Sequence, residues 1–151
     1  ASRTRPHPQE AQAMILVDTG PLVALFDPAD NWHEPCVARL RELREPLYTT
    51  IPVLTEAFHL LSPASLGAQK LMDFVAQRGL TVWFLADAHL DRAFELMSRY
   101  EDCAMDLADA SLVVAAEQLG TRKIFSIDRR DFATYRVKRG HRLVAFQLIG
   151  P

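Results

Sequence analysis

Four acidic residues stand where a predicted strand ends or a predicted helix begins. They are Asp18, Glu56, Asp109 and Asp128. Asp18 closes the apolar run Met14-Ile15-Leu16-Val17, and Asp128 follows Ile124-Phe125-Ser126-Ile127. In a parallel α/β sheet the carboxyl ends of the strands share one edge, so carboxylates distant in sequence can meet there. Carboxylates without His or Cys partners are typical ligands of Mg²⁺ or Mn²⁺. The pattern therefore predicts metal-dependent phosphoryl chemistry.

Three of these acids also have a structural explanation when each is taken alone. Asp18 suits the N-cap position of a helix, and Asp128 suits a turn before one. Glu56 follows the helix start at Pro52 and would gain about 0.3–1 kcal/mol from the helix dipole. The set is harder to explain in this way, because all four acids fall on one predicted edge of the sheet.

Asp106 and Asp109 lie three residues apart, on one face of a predicted helix. Asp109 leads an apolar stripe that begins at Leu112, so its carboxylate should be partly buried. A buried charge requires a metal, a base or a hydrogen-bonded partner, and residues 103–120 contain no Lys or Arg. We therefore favour a functional role for Asp109, whereas Asp106 is explained equally well as a helix N-cap.

Strand-like and helix-like segments alternate along the chain, which is typical of a parallel sheet with helices on both faces. The predicted strands are 14–17, 47–49, 81–85, 123–127 and 142–146. The predicted helices are 21–26, 32–44, 52–61, 66–78, 87–100 and 107–119, with a short turn or helix at 130–135. The strand 14–17 is almost entirely apolar and should lie mid-sheet, which would place Asp18 at the centre of the ligand edge.

The chain of 151 residues is long enough for one well-buried domain. Its formal net charge of −2 excludes a polycation that coats nucleic acid over its whole surface. Basic residues nevertheless crowd near the C-terminus, at Arg129, Arg130, Arg136, Lys138, Arg139 and Arg142. Such a patch attracts phosphate groups, but an ordinary solvated surface explains it equally well.

Cys36 and Cys103 have neither zinc-site spacing nor the number needed for a disulfide framework, which favours free thiols in a reducing cytoplasm. No apolar run approaches the roughly 20 residues that span a bilayer. Residues 1–13 are polar and lack the apolar core of a signal peptide. We expect residues 1–13 to be a flexible leader, residues 14–151 to form the domain, and the protein to be cytoplasmic, without a membrane partner.

The chain resembles the PIN-domain ribonucleases, specifically the VapC-type toxins of prokaryotic toxin–antitoxin modules. The resemblance runs from about Met14 to Phe146. It rests on Val17-Asp-Thr-Gly-Pro21, Glu56 after Thr-Thr-Ile-Pro, Asp106-Leu-Ala-Asp-Ala-Ser-Leu-Val-Val-Ala-Ala116 and Ser126-Ile-Asp-Arg-Arg-Asp-Phe132. It implies a PIN-like three-layer α/β/α domain with a central, mostly parallel five-stranded sheet.

The resemblance also implies a metal-dependent endoribonuclease that uses Mg²⁺ or Mn²⁺ to hydrolyse RNA and so inhibits translation. It gives catalytic and metal-binding roles to Asp18, Glu56, Asp109 and Asp128, metal binding to Asp106, and supporting roles to Thr19 and Ser126. Arg129 and Arg130 are weak candidates for RNA contacts. Gly20 stands where many members carry Ser or Asn, so one supporting polar side chain is missing here.

The implied partners are RNA, a VapB-type antitoxin that docks near helices 52–61 and 66–78, and a second copy in a homodimer. Three alternatives remain at this point. A haloacid-dehalogenase-like phosphatase needs a second Asp where Gly20 stands, and a receiver-like domain needs paired acids and a late Lys that we cannot place. A catalytically silent PIN-like binding domain would lack some of the acids that this chain retains.

Overall fold

The structure, a computed structural model, describes residues 14–151, and the predicted leader 1–13 lies outside the described residues. The strands are β1 (Ile15–Val17), β2 (Leu47–Thr50), β3 (Thr81–Trp83), β4 (Lys123–Phe125), β5 (Arg136–Arg139), β6 (Arg142–Ala145) and β7 (Gln147–Ile149). The α-helices are α1 (Thr19–Phe26), α2 (His33–Glu42), α3 (Ile51–Leu61), α4 (Leu66–Ala76), α5 (Asp87–Arg99), α6 (Leu107–Leu119) and α7 (Arg129–Thr134).

Five strands form a parallel sheet in the order β3-β2-β1-β4-β7. The middle strand is β1, and its residues Ile15, Leu16 and Val17 are at most 1% exposed, as a strand covered on both faces requires. The hydrogen bonding between β1 and β4 continues one residue beyond β1, where the Asp18 N–H donates to the Phe125 carbonyl over 3.0 Å. The predicted α/β fold class, with a central parallel five-stranded sheet flanked by helices, is confirmed.

The prediction that residues 142–146 form a strand of this sheet is wrong. Residues 142–145 form β6, which pairs antiparallel with β5 in a separate two-stranded sheet. Gly140 adopts a positive φ of 59° in the tight turn between them, a conformation that glycine takes without steric cost. The fifth strand of the main sheet is β7, which pairs with β4. The hairpin therefore leaves the sheet, and the chain returns to it one residue after β6 ends.

Helix α6 lies deep in the domain. Eight of its residues are buried, and it packs against β1, β2, α3 and α5. It begins after Asp106, whose side chain accepts from the backbone N–H of Asp109. It ends at Gly120, which adopts the left-handed conformation that glycine commonly takes after a helix. Asp109, in the first turn of α6, therefore belongs to a helix that is buried and packed against several other elements.

Thr and Asp are favoured at the N-cap position, which predicts that Thr50 caps α3 and Asp87 caps α5, but both predictions are wrong. Thr50 occupies the N-cap position of α3, but its hydroxyl forms a hydrogen bond with Ser111 Oγ over 2.6 Å instead of capping the helix. The N-cap of α5 is Ala86, so Asp87 is the first helical residue. The buried pair Thr50 and Ser111 joins the end of β2 to α6, a tertiary contact that local sequence does not reveal.

Cys36 is buried, Cys103 is partly exposed, and both are free thiols. Among the helices of residues 14–151, none combines the length and the apolar character that a membrane crossing requires.

Candidate active site

A cleft of about 640 Å³ opens at the carboxyl edge of the parallel sheet, and acidic side chains dominate its lining. Seven lining residues are acidic, namely Asp18, Asp30, Glu56, Asp106, Asp109, Asp128 and Asp131. No Lys, Arg or His is among the residues of the described chain that line it. All five acids proposed from the sequence as metal ligands therefore face one cavity, although they come from widely separated parts of the chain.

The sheet order explains this convergence. Because β1 and β4 are neighbours, the residues that follow them, Asp18 and the segment Ser126–Asp128, lie side by side. Strand β2 is the other neighbour of β1, and it leads directly into α3, which carries Glu56. Helix α6 packs against β1 and β2 and brings Asp109 to the same place.

Asp18 lies at the centre of this arrangement, and both of its carboxylate oxygens accept hydrogen bonds. The backbone N–H of Thr19 donates to Oδ1 over 2.8 Å, and the Ser126 hydroxyl donates to Oδ2 over 2.9 Å. Burial raises the pKa of Asp18 to about 6, because the charged form loses its hydration. The negative charges of Glu56 and Asp128 also raise this pKa, and the two hydrogen bonds oppose the rise.

Ser126 connects the ends of β1 and β4. Its side chain is buried, donates to Asp18 and accepts the backbone N–H of Asp128 over 3.0 Å. The hydroxyl of Ser126 therefore contacts the carboxylate of Asp18 after β1 and the backbone of Asp128 after β4, which is the geometry that the predicted supporting role requires.

Replacing Ser126 with Ala should lower the free energy of unfolding at pH 8 by about 1–3 kcal/mol, the typical loss when a buried charged acceptor loses its partner. The loss should be smaller at pH 5, where Asp18, with a pKa of about 6, is largely protonated. Urea denaturation at both pH values measures this, with Ser98→Ala, an exposed site on α5, as the control. An equal loss at both pH values would show that the hydroxyl does not act through the Asp18 charge.

Glu56 faces the cleft from α3, and Thr19 contacts it. The Thr19 hydroxyl donates to Glu56 Oε2 over 3.2 Å, and Thr19 itself is buried. Thr19 therefore binds one acid through its backbone N–H and a second through its side chain. Gly20, beside it, lines the cleft without a polar side chain.

Asp109 is held by a residue that the sequence did not single out. The Tyr135 hydroxyl donates to Asp109 Oδ2 over 3.0 Å. The pKa of Asp109 is raised to about 7, first by burial and then by the charges of Asp106 and Asp18. Burial and the neighbouring Asp109 charge raise the pKa of Tyr135 far above its ordinary value, so its hydroxyl remains a proton donor. Tyr135 ends a short helix and resembles an ordinary core aromatic in the sequence.

Asp106 and Asp128 line the cleft and also cap helices. Asp106 Oδ1 accepts the Asp109 N–H over 2.8 Å, and Asp128 Oδ1 accepts the Asp131 N–H over 3.2 Å. The structural explanation considered for each residue is therefore correct. Helix capping is also compatible with metal binding by the same residue, because a carboxylate has two oxygens and each cap uses one of them.

Two further acids in the cleft were not predicted as site residues. Asp131 follows Asp128 by one helical turn, and its pKa is raised by burial and then by its hydrogen bond with Asp128. Asp30 lies in the loop before α2, where its side chain accepts the Trp32 N–H over 2.8 Å. The spacing of Asp128 and Asp131 would have indicated the first of these, whereas the loop position of Asp30 offers no signal.

Arg129 and Arg130 are exposed on the first turn of α7 and do not line the cleft. Two of the four other residues in the basic cluster have a structural use. The Arg136 guanidinium donates to the carbonyls of residues 133–135 at the end of α7, and Arg139 donates to the Gly120 carbonyl. These contacts reduce the number of basic side chains available to a phosphate backbone.

The donor chemistry of the cleft fits a hard divalent cation. Carboxylates and hydroxyls surround it, and the carboxylates of Asp18, Asp109 and Asp131 have raised pKa values that a nearby positive charge would lower. In residues 14–151 no three His, Cys, Asp or Glu side chains stand close enough, as placed, to hold one ion. Mg²⁺ commonly keeps several waters and uses only one or two carboxylates, so the cleft fits a hydrated ion better than a fully protein-ligated one.

Comparison with known proteins agrees with this geometry. The family profile described as PIN domain matches residues 15–138. Ribonuclease VapC26 of Mycobacterium tuberculosis is 28% identical over 131 residues, covering 85% of this chain and 96% of that protein.

Two solved structures share the fold. The crystal structure of Mycobacterium tuberculosis VapC20, described as a Sarcin-Ricin loop cleaving toxin, has a TM-score of 0.69 at 22% identity, covering 77% of this chain and 91% of that one. VapBC2 from Rickettsia felis, bound to a DNA fragment from its promoter, has a TM-score of 0.60 at 13% identity and covers 91% and 98%. The resemblance to VapC-type proteins is confirmed, and the chain belongs to the PIN-domain family.

Proposed function

We propose that this protein is a metal-dependent endoribonuclease that hydrolyses RNA phosphodiester bonds as the toxin of a VapBC-type module. The observation that carries the proposal is the cleft that, among residues 14–151, is lined by seven acidic residues and by no Lys, Arg or His. A polyanionic substrate would be repelled by that cleft unless a cation neutralised it. The relationship to Ribonuclease VapC26 supports RNA as the substrate class.

In this proposal a bound Mg²⁺ or Mn²⁺ supplies a water of lowered pKa and neutralises charge on the reacting phosphoryl group. Asp18, Glu56 and Asp109 are the core acids, with Asp128 as the fourth and Asp106 nearby. Thr19, Ser126 and Tyr135 orient three of these carboxylates by donating hydrogen bonds to them. The products would carry a 5′-phosphate and a 3′-hydroxyl.

The protonation state of the cleft should control this activity. The pKa values of about 6 for Asp18 and about 7 for Asp109 mean that both carboxyl groups hold protons in mildly acidic solution. A cation must displace those protons, so binding and cleavage should weaken as the pH falls below about 7. Activity should therefore be higher at pH 8 than at pH 6.

Removal of divalent metal should abolish cleavage. A fluorogenic RNA oligonucleotide incubated with the protein in EDTA should remain intact, and excess Mg²⁺ or Mn²⁺ should restore cleavage to the original rate. Ca²⁺ is the matched control, because it binds oxygen ligands with a looser geometry and more ligands. Cleavage that persists in EDTA would contradict the proposed mechanism.

The RNA assay and a phosphodonor assay together separate the alternative functions. A silent binding domain would retain RNA without cutting it at any metal concentration. A phosphatase or receiver-like domain would form an acyl phosphate on Asp18 when given a small phosphodonor, which mass spectrometry detects as a gain in protein mass. Neither outcome is expected, since the proposal requires no covalent intermediate.

We also propose a VapB-type antitoxin and a homodimer as partners. Support comes from the resemblance and from the fold shared with VapBC2. Leu61 and Leu71 on α3 and α4 are buried in the core, so an antitoxin docked near these helices would contact exposed side chains such as Leu60, which is 57% exposed at the cleft. Light scattering of the purified chain, alone and with the product of a neighbouring short gene, would test both partners. A chain that stays monomeric and does not bind that product would contradict both proposed partners.

A further inference from the structure

Tyr135 lies at the junction of α7 and β5, and its side chain is fully buried. Its hydroxyl donates to Asp109 Oδ2 over 3.0 Å, across 26 residues of sequence. A buried tyrosine hydroxyl usually finds a partner, and a backbone carbonyl would be the ordinary choice. Here the partner is a carboxylate that lines the acidic cleft.

The aromatic ring of Tyr135 has little freedom to move. The ring of Phe132 packs edge-on against it with centroids 5.3 Å apart, and that of Tyr100 packs similarly at 5.1 Å. Phe132 in turn contacts Phe146 at 5.4 Å. This cluster of Tyr100, Phe132, Tyr135 and Phe146 fixes the ring, and a fixed ring fixes the position of its hydroxyl.

Tyr100 provides an internal comparison. It belongs to the same cluster, but its hydroxyl accepts the backbone N–H of Arg136 over 3.1 Å. The two tyrosines thus differ in what their hydroxyls do, since one completes a backbone hydrogen bond and the other constrains a cleft acid. A role that depends on the cleft should be specific to Tyr135.

The hydrogen bond restricts Asp109 in a useful way. It occupies Oδ2 and so fixes the plane of the carboxylate, while Oδ1 receives no hydrogen bond among those formed by the described residues. A preoriented ligand loses less rotational freedom when it binds an ion. A phenolic hydroxyl carries a proton that it can donate, so here it donates to this carboxylate and does not compete for the cation.

We propose that Tyr135 is a positioning residue that holds Asp109, through its hydroxyl, in the orientation that receives a divalent cation. The inference rests on the proposed metal-dependent function and adds to it a residue outside the set of acids. Groups that hold metal-binding side chains in place commonly change metal affinity by about 10–100-fold when they are removed.

Binding of Mn²⁺ alone tests this without RNA. The wild type, Tyr135→Phe and the matched control Tyr100→Phe are titrated with Mn²⁺ at pH 8, and the electron paramagnetic resonance signal of free Mn²⁺ measures binding. We expect Tyr135→Phe to bind about tenfold more weakly or worse, and Tyr100→Phe to bind like the wild type. Thermal unfolding of the metal-free proteins checks that both variants fold cooperatively.

Every other outcome is also informative. Equal Mn²⁺ affinity for the wild type and Tyr135→Phe would overturn the positioning role while leaving the proposed function intact. Tighter binding would overturn it as well, since the hydroxyl would then be competing with the ion for Oδ2. If Tyr100→Phe binds Mn²⁺ as weakly as Tyr135→Phe, the loss is a general structural effect and the positioning role is overturned. Absence of Mn²⁺ binding in the wild type would overturn both the inference and the metal-dependent function.

Discussion

Asp18→Asn should lower metal-dependent RNA cleavage by at least about a hundredfold, since metal-assisted charge stabilisation contributes several kcal/mol and each 1.36 kcal/mol is tenfold in rate. The substitution keeps the shape of the side chain and removes one negative charge from the centre of the cleft. It should also stabilise the metal-free protein at pH 8, because the charged form of a buried carboxylate is the unfavourable one. Opposite effects on activity and stability are therefore expected from a single substitution.

Single-turnover cleavage of a labelled RNA and urea denaturation measure the two effects on the same preparation. Asp87→Asn is the control, because it makes the same chemical change at an exposed position of α5 outside the cleft. That variant should keep wild-type cleavage and change stability by about 0.3–1 kcal/mol at most, through the helix dipole. Full activity in Asp18→Asn would exclude Asp18 from the reaction.

Without added metal, the protein should be more stable at pH 5 than at pH 8. Asp18 and Asp109 have pKa values of about 6 and about 7 in the folded chain, above the ordinary value of 3.8. Between about pH 4 and pH 7 the folded state therefore binds more protons than the unfolded state, and stability falls as the pH rises. A change of one in pKa corresponds to about 1.4 kcal/mol, so we expect a loss on the order of 2–4 kcal/mol.

Urea denaturation at several pH values between 4 and 8 measures how the free energy of unfolding falls as the pH rises. The double variant Asp18→Asn with Asp109→Asn isolates it, since all other titrating groups are common to both proteins. The double variant should show a much smaller fall, and saturating Mn²⁺ should stabilise the wild type at pH 8 more than at pH 5. A wild-type slope equal to that of the double variant would contradict the assigned pKa values.

The residues that end strands were predictable because two simple signals coincide there. An apolar run identifies a buried strand, and an acid after it lies at the sheet edge, as Asp18 and Asp128 do. Asp109 was identified because an acid that leads a fully apolar helix face must be partly buried. These inferences need only local sequence and the rule that ligands bind at the carboxyl ends of parallel strands.

Other features depend on tertiary contacts that local sequence does not contain. Strands β5 and β6 are largely exposed and rich in basic residues, so no buried apolar pattern separates the hairpin from the sheet strand that follows it. Tyr135 resembles any core aromatic until its hydroxyl is seen on Asp109. The link from Thr50 to Ser111 joins residues 61 positions apart. The resemblance supplied the site but could not indicate these supporting contacts.

The order of the parallel sheet bears on how fast the protein folds and unfolds. Strand β1 must pair with β4, and the Asp18–Ser126 contact that follows them closes a span of 108 residues. Long-range parallel pairing makes folding slow, and the mutual repulsion of the acids arises only once that pairing brings them together. Neutralising these acids should then act mainly on the unfolding rate, as expected for interactions that form after the transition state. A bound cation would also slow unfolding and so lengthen the lifetime of the native protein, because it neutralises the same repulsion.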